Sequence, residues 1–206
     1  MPARYRRDRT ILSRRREGAA FRQDGRVSSV PLEIRVDDLS GEATRELIAL
    51  HLAGMHDGSP IESIHALDLD GLRAPGMTVW SAWSGERIAG IGALKRFGTG
   101  SAAGADGMDG EGGGSGALAS AGGDRGELKS MRVADEFRGT GVGRAILRHI
   151  VAEARAAGIR SLWLETGAGE AFVPAHRLYA SEGFVDCGSF ADYRPDPLSR
   201  FMTREL

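Results

Sequence analysis

The sequence predicts one domain of the α/β (α+β) class, in which strands and helices are interspersed along the chain. Three observations predict it. Short apolar runs of strand length alternate with longer runs whose apolar residues recur at helical spacing. One such strand and one such helix are joined by a turn that contains three alternating glycines. The 206 residues, 41% hydrophobic and 27% charged, suffice for one domain with a sizeable core.

Two segments are expected outside the regular part of the domain, which spans residues 31–206. Residues 1–30 hold nine arginines against three acids and few apolar anchors, so we expect a flexible basic arm. The arm could contact nucleic acid or an acidic partner, but no recognised motif is present and nucleic-acid binding is not expected. Residues 98–126 hold 12 of the 30 glycines, which predicts a flexible insertion within a hairpin.

The first half of the domain is predicted from local patterns. Leu32 to Val36 has the pattern of a strand, and Gly41 to Ala53 that of an amphipathic helix. Ser59-Pro60-Ile61-Glu62 predicts the start of another helix, with a serine N-cap, a proline at the first helical position and a glutamate that completes a capping box. Thr78 to Trp83 and Arg87 to Phe97 are predicted to pair through a short turn at residues 84–86.

The second half continues the alternation. Glu127 to Val133 is predicted as a strand, and Arg144 to Ala157 as a patterned helix that ends at Gly158. A strand at Ser161 to Glu165, a helix at about Pro174 to Glu182 and a final strand pair follow. The tryptophans Trp80, Trp83 and Trp163 are expected to pack in the sheet and not to form an aromatic cage.

Composition excludes several classes of function. Cys187 is the one cysteine, so no intramolecular disulfide can form, which fits a reducing cytoplasm. No apolar run approaches the roughly 18 residues needed to span a bilayer, and no secretory signal follows the early arginines. His51 and His56 lack the H-E-x-x-H arrangement, so no metal is expected. We therefore expect a cytoplasmic protein without a membrane partner.

The turn between the predicted strand and helix is the most informative segment. Glycines at 139, 141 and 143 leave backbone N–H groups uncovered at a helix N-terminus, where they can converge on phosphate oxygens. Arg138 and Arg144 could add charge-assisted contacts. The spacing matches neither a P-loop nor the G-x-G-x-x-G dinucleotide pattern. A tight turn without any ligand therefore remains open as an alternative.

Two separated motifs resemble those of the GCN5-related N-acetyltransferases, the GNAT superfamily. The acyl-CoA signature R-x-x-G-x-G stands here as Arg138, Gly141 and Gly143, and the A-x-x-L-Y…G-F element stands as Ala175 to Tyr179 followed by Gly183-Phe184. The resemblance covers about residues 32–206. A narrower similarity, to bacterial acetyltransferases labelled indole-acetate or YsnE-type, is carried by residues 55–69, 92–95, 127–131 and 199–202.

This resemblance implies a fold and a cofactor site. The GNAT fold has a mixed, strongly twisted sheet flanked by helices, and here the strand with Met131 and Val133 would splay from its neighbour so that its amides pair with pantetheine. The pyrophosphate of acetyl-CoA, the co-substrate, would lie on the turn formed by Arg138, Gly139, Thr140, Gly141, Val142, Gly143 and Arg144. The pattern departs at Phe172, where family members often place an asparagine that helps to hold the cofactor.

The resemblance also implies direct transfer of an acetyl group to a primary amine. Tyr179 would protonate the departing thiolate, with a buried helix anchor as its alternative role. Glu127 would remove the amine proton, directly or through water, with an exposed strand-end carboxylate as its alternative. His65 lies in the segment that shapes the acceptor pocket, so it is a candidate for substrate binding.

The partners follow from the same interpretation. A small-molecule amine is the expected acceptor, because the segment from Met55 to Leu72 is long enough to cover a pocket. A homodimer is left open. The second hypothesis is a non-catalytic acyl-CoA-binding sensor or interaction module.

Overall fold

The computed structural model describes residues 31–56, 67–97 and 125–206. The predicted basic arm, the helix that starts at Ser59, His65 and residues 98–124 of the predicted insertion lie outside the described residues. No helix in the described ranges is both long and apolar enough to cross a membrane.

The described residues form seven strands and four α-helices; all but the short helix α2 correspond to elements that the sequence predicts. The strands are β1 (Leu32–Val36), β2 (Met77–Ser84), β3 (Arg87–Phe97), β4 (Arg125–Val133), β5 (Ser161–Gly167), β6 (Val185–Asp186) and β7 (Ser199–Glu205). The helices are α1 (Glu42–His56), α2 (Leu69–Leu72), α3 (Val142–Ala156) and α4 (Val173–Ser181).

One mixed sheet contains all seven strands in the order β1-β2-β3-β4-β5-β7-β6. Its pairs are antiparallel except for β4 with β5, which are parallel because α3 connects them. The register of β4 with β5 ends at Leu128 opposite Leu164. Beyond that point β4 continues beside β3 and β5 continues beside β7, so the two central strands separate. The predicted splay is confirmed.

Helices cover both faces of the sheet and form two cores. On one face α3 buries Ile146, Leu147 and Ile150 completely. On the other face α1 packs Leu47 and Ile48 against the sheet. Burial of each such side chain contributes about 1.5–3 kcal/mol. The central strands are therefore packed between helices on both faces of the sheet.

Several element boundaries differ from the sequence prediction by one to three residues, among them those of β4, α3 and α1. β4 begins at Arg125, two residues before the predicted start. Gly126 can pack closely within the sheet because it has no side chain; a Cβ at this position would lie 2.8 Å from a methyl group of Leu94. α3 begins at Val142, because Gly141 is its N-cap and accepts the first helical hydrogen bond from the Ala145 amide. α1 continues to His56 instead of ending at Ala53.

Candidate active site

The glycine turn precedes α3 and is built from backbone in conformations that favour glycine. Gly139 has φ of +76° and Gly141 has φ of +93°, the left-handed region. A Cβ at either position would meet no atom within 4 Å, so the space above both glycines is open. Gly141 caps α3 without a side chain, and the first-turn amides of the helix therefore face that open space. This geometry suits an anionic group.

The side chains of the turn are directed mainly to other protein groups. Arg138 forms an ion pair with Asp135 at 2.7 Å, and Arg144 forms one with Glu182 at 3.0 Å. The Thr140 hydroxyl donates to the Phe137 carbonyl at 2.6 Å. The predicted contacts of the two arginine side chains with a phosphate would therefore compete with these ion pairs, whereas the backbone amides are already in place.

Gly143 connects the turn to the neighbouring strand. A Cβ on Gly143 would lie 3.3 Å from Val133 of β4 and 3.4 Å from Leu178 of α4. Glycine thus allows the start of α3 to approach both elements closely. The predicted pyrophosphate turn and the predicted pantetheine strand are consequently adjacent.

A cavity of about 100 Å³ opens where β4 and β5 separate. Helix α1 and the start of helix α4 complete its walls. It is lined by His51, Leu128, Lys129, Ser130, Met131, Glu165, Thr166, Gly167, Phe172, Ala175 and Tyr179. The predicted residues Met131 and Tyr179 meet there, although they lie on different elements.

The β4 wall of this cavity is irregular. The register with β3 shifts between Ile91 and Ala93, and Ser130 has φ of +50°, which is strained for a residue with a side chain. The bulge places Met131 against Gly92. A Cβ on Gly92 would lie 2.7 Å from the Met131 sulfur. The Ser130 hydroxyl is buried and has no hydrogen-bond partner in the described part of the chain.

The α4 wall carries Tyr179 and Phe172. Tyr179 is 7% exposed and packs against Phe184, with 5.8 Å between the ring centroids. Burial, and secondarily the Glu165 carboxylate, raises the pKa of the Tyr179 hydroxyl above its usual range. The phenol therefore stays protonated at neutral pH and can act as a proton donor.

Phe172 fixes the end of β5. A Cβ on Gly167 would lie only 2.3 Å from the Phe172 ring, so glycine is required at position 167. The His176 ring donates through Nε2 to the Gly167 carbonyl at 2.8 Å. The position at which the family often has asparagine is thus occupied by an aromatic side chain that closes one end of the cavity.

Glu127 lies in a buried polar cluster next to the cavity. The Tyr193 hydroxyl donates to Glu127 Oε1 at 2.5 Å, and Lys129 Nζ lies 2.9 Å from the same oxygen. Lys129 Nζ also donates to the Tyr193 hydroxyl. Because Glu127 is only 3% exposed, the alternative of an exposed strand-end carboxylate is wrong.

Tyr193 reaches this cluster from the segment between β6 and β7. An aromatic cluster of Trp163, Phe190, Tyr193 and Phe201 holds its ring, with centroid distances from 5.0 to 6.0 Å. Burial, and secondarily the Glu127 carboxylate, raises the pKa of Tyr193. No pattern near Tyr193 in the sequence indicates this position.

Glu165 and His51 are two further cavity residues that sequence reasoning did not select as site residues. Glu165 is the first residue of β5 beyond its last pair with β4, and it accepts a hydrogen bond from the Ser199 hydroxyl at 2.6 Å. Burial, with the nearby charge of Arg132, lowers the pKa of His51 to about 4. His51 is therefore neutral at physiological pH.

The tryptophans pack in the sheet, as predicted. Trp80 is 4% exposed and meets His149 edge-on, Trp83 lies under the Arg35 guanidinium, and Trp163 belongs to the aromatic cluster. Each of Trp83 and Trp163 donates its indole N–H to the serine hydroxyl two residues earlier.

Comparison with known proteins is consistent across sequence and structure. A sequence model of the acetyltransferase (GNAT) family matches residues 44–184. The uncharacterized N-acetyltransferase YsnE of Bacillus subtilis (strain 168) is 42% identical over 175 residues, which cover 85% of this chain and 100% of YsnE. An IAA acetyltransferase of Azospirillum brasilense is 38% identical over 176 residues, which cover 85% of this chain and 94% of that protein. The crystal structure of a Bacillus subtilis acetyltransferase in complex with CoA has the same fold, with a TM-score of 0.55 and 14% identity over 85% of this chain and 99% of that one.

Proposed function

The chain belongs to the acetyltransferase (GNAT) family and is an N-acetyltransferase, and on that premise we propose that it transfers the acetyl group of acetyl-CoA to the primary amine of a small molecule. The observation that carries the proposal is the cavity between the separated strands β4 and β5. It holds a phenol, Tyr179, and a carboxylate, Glu165, beside the glycine turn.

The CoA half of the site is formed by α3 and the free edge of β4. The pyrophosphate would lie over Gly139 and Gly141 and accept hydrogen bonds from the turn and first-turn amides of α3. Pantetheine would then follow β4 past Val133 and Met131, where β5 no longer pairs with that edge. A Bacillus subtilis acetyltransferase with the same fold was crystallised in complex with CoA, which supports CoA as a ligand of this fold.

The chemistry needs one proton removed and one supplied. The neutral amine attacks the thioester carbonyl, the new N–C bond forms and the C–S bond breaks. Tyr179, protonated at neutral pH, would give its proton to the departing thiolate. No covalent intermediate with the protein is required.

Two carboxylates are candidates to accept the amine proton. Glu127 is buried behind Lys129 and Tyr193, so it would act through the Tyr193 hydroxyl or through a water molecule. Glu165 lines the cavity itself, and this position favours it as the direct base. In that arrangement Glu127 holds Lys129 and Tyr193 in place.

A small acceptor fits the size of this site. The cavity of about 100 Å³ accommodates an amine and its immediate substituents and no folded polypeptide. One relative is named for acetylation of IAA, itself a small molecule. His65, which lies outside the described residues, remains a proposed substrate contact.

Release of free thiol tests the proposal. Purified protein is mixed with acetyl-CoA and a panel of primary amines, and CoA thiol is followed over time. We expect release that depends on at least one amine. Stabilisation of the protein by CoA without thiol release for any amine would instead favour the acyl-CoA-binding sensor.

A further inference from the structure

Hydrogen-bond donors gather on the β4 wall of the cavity. Lys129 and Ser130 line it and are the first two residues of β4 after the last pair with β5. The Lys129 ammonium directs one N–H to Glu127 and another to the Tyr193 hydroxyl. Because an ammonium has three donors, a third is available to a molecule in the cavity. The two protein partners fix the ammonium against this wall.

Ser130 provides a second donor at the same place. Its hydroxyl is buried and finds no hydrogen-bond partner within the described ranges. Its backbone is also held at φ of +50°, which a residue with a side chain adopts at a cost. Unsatisfied buried polar groups are rare, and strained residues concentrate where ligands bind. Both features at one cavity residue indicate a ligand with acceptor atoms.

Positive charge extends beyond Lys129. Arg132 follows two residues after Ser130, its Nε is buried, and that atom also has no partner among the described residues. Burial, and secondarily the charge of Arg132, lowers the pKa of His51, which lines the cavity. Asp135 pairs with Nη2 of the Arg132 guanidinium at 3.0 Å. Each of these β4 groups is a donor or a cation.

The β5 wall has the opposite charge. Glu165 lines the cavity across from Lys129, at the corresponding first position after the strands separate. We propose that the acceptor is a compact amino acid, whose carboxylate accepts hydrogen bonds from Lys129 and Ser130 while its amine lies at Glu165. This inference rests on the proposed function, because it uses the same cavity for the acceptor. It narrows the acceptor from any primary amine to one with a carboxylate close to the amine.

The expected size of the preference follows from the contacts. A hydrogen bond to a charged group contributes about 1.5–3 kcal/mol, which corresponds to a factor of about 10 to 150 in affinity. Replacement of the carboxylate by a carboxamide keeps the shape of the ligand and removes its charge. The amide of an accepted amino acid should therefore bind at least about tenfold more weakly than the acid.

Calorimetric titration of the CoA complex tests this preference without turnover. The full chain, saturated with CoA, is titrated with the common L-amino acids and, for each that binds, with its carboxamide. We expect at least one acid to bind at least about tenfold more tightly than its amide. The inference is overturned if no acid binds, or if every amide binds as tightly as its acid.

Substitutions in β4 test whether Lys129 and Ser130 cause the preference for an amino acid over its carboxamide. Lys129→Met should bring the acid and the amide to nearly equal affinity, and Ser130→Ala should reduce the difference several-fold. Lys95→Met, at an exposed lysine of β3 directly opposite Glu127, should keep the difference of the parent protein. An undiminished difference in Lys129→Met contradicts the inference.

A second variant covers the case in which Lys129→Met fails to fold because Glu127 loses its cation. The double change Lys129→Met/Glu127→Gln removes both charges together and should show the same loss of acid preference. Thiol release measured on the same preparations separates the two claims. In the parent protein, thiol release with amines but no acid preference would overturn the inference and leave the proposed function standing. Acid preference without thiol release for any amine would overturn the proposed function and would leave a site that binds amino acids without acetyl transfer.

Discussion

The two ends of the site are built in different ways. The glycine turn offers backbone amides, and the space above Gly139 and Gly141 is empty of protein atoms within 4 Å of an added Cβ. The cavity between β4 and β5 is instead walled by residues of several elements, and one of its polar groups, the Lys129 ammonium, is held by the Glu127 and Tyr193 side chains. Under the proposed function, the turn would recognise the pyrophosphate that is common to every CoA thioester, and the cavity would select the chemistry and the acceptor.

This difference predicts how substitutions act. At the turn, any Cβ matters because it enters the space needed by the ligand, whereas the identity of nearby side chains matters less. In the cavity, removal of a single oxygen or charge should lower kcat or kcat/KM, while the affinity for CoA should be preserved. The following substitutions test this division.

Tyr179→Phe should have the largest effect on the chemical step. Removal of the hydroxyl leaves the thiolate without its acid, so kcat should fall about 100-fold while the Kd for CoA stays the same. Initial rates of thiol release and calorimetric titration with CoA measure the two quantities. If CoA binding weakens as strongly as kcat falls, Tyr179 anchors α4 and does not supply the proton.

Glu165→Gln and Glu127→Gln separate the two candidate bases. We expect Glu165→Gln to lower kcat/KM for the amine by about 10- to 100-fold, because Glu165 lines the cavity. Glu127→Gln keeps an oxygen that can accept from Tyr193 and Lys129, and its loss should be smaller. A larger loss in Glu127→Gln would identify the buried carboxylate as the base.

Much of the fold can be predicted because its signals are local. The bounds of β1 and β3 agree with the sequence prediction, since β1 alternates apolar and charged residues and β3 contains a compact run of apolar residues and glycines. α3 ends at Ala156, one residue before the predicted end at Ala157, and Gly158 just beyond it adopts φ of +77°, as suits a helix stop. The separation of β4 from β5 followed from the family resemblance and not from any local pattern.

The polar cluster could not be predicted because it joins distant parts of the chain. Tyr193 lies 66 residues after Glu127, on the segment between β6 and β7. Neither periodicity nor spacing connects such residues. Glu165 was part of the predicted strand, but its access to the cavity depends on where the pairing of β4 and β5 stops.

A smaller effect concerns stability in acid. His51 has a pKa of about 4 in the folded protein against an ordinary value of 6.5, so the unfolded chain binds a proton first as the pH falls. The contribution of neutral His51 to the free energy of unfolding is complete above pH 6.5 and decreases as the pH falls from 6.5 to 4. At pH 5 the loss should be roughly 1–2 kcal/mol.

Urea unfolding at pH 7.5 and at pH 5 measures this loss. His51→Gln cannot take up the proton, so its free energy of unfolding should decrease less between the two pH values than that of the parent protein. Equal decreases in both proteins would show that His51 is not responsible, and that its place in the cavity wall has no effect on acid stability.

The central claim, that the turn before α3 holds the pyrophosphate of CoA, is tested most directly by one matched pair of substitutions. Gly141 and Gly158 lie at opposite ends of α3, both have positive φ, and a Cβ at either meets nothing within 4 Å. Gly141→Val and Gly158→Val should therefore strain the backbone alike. Calorimetric titration with CoA should show at least about tenfold weaker binding for Gly141→Val and unchanged binding for Gly158→Val. Unchanged CoA affinity in Gly141→Val would contradict the assignment of the turn.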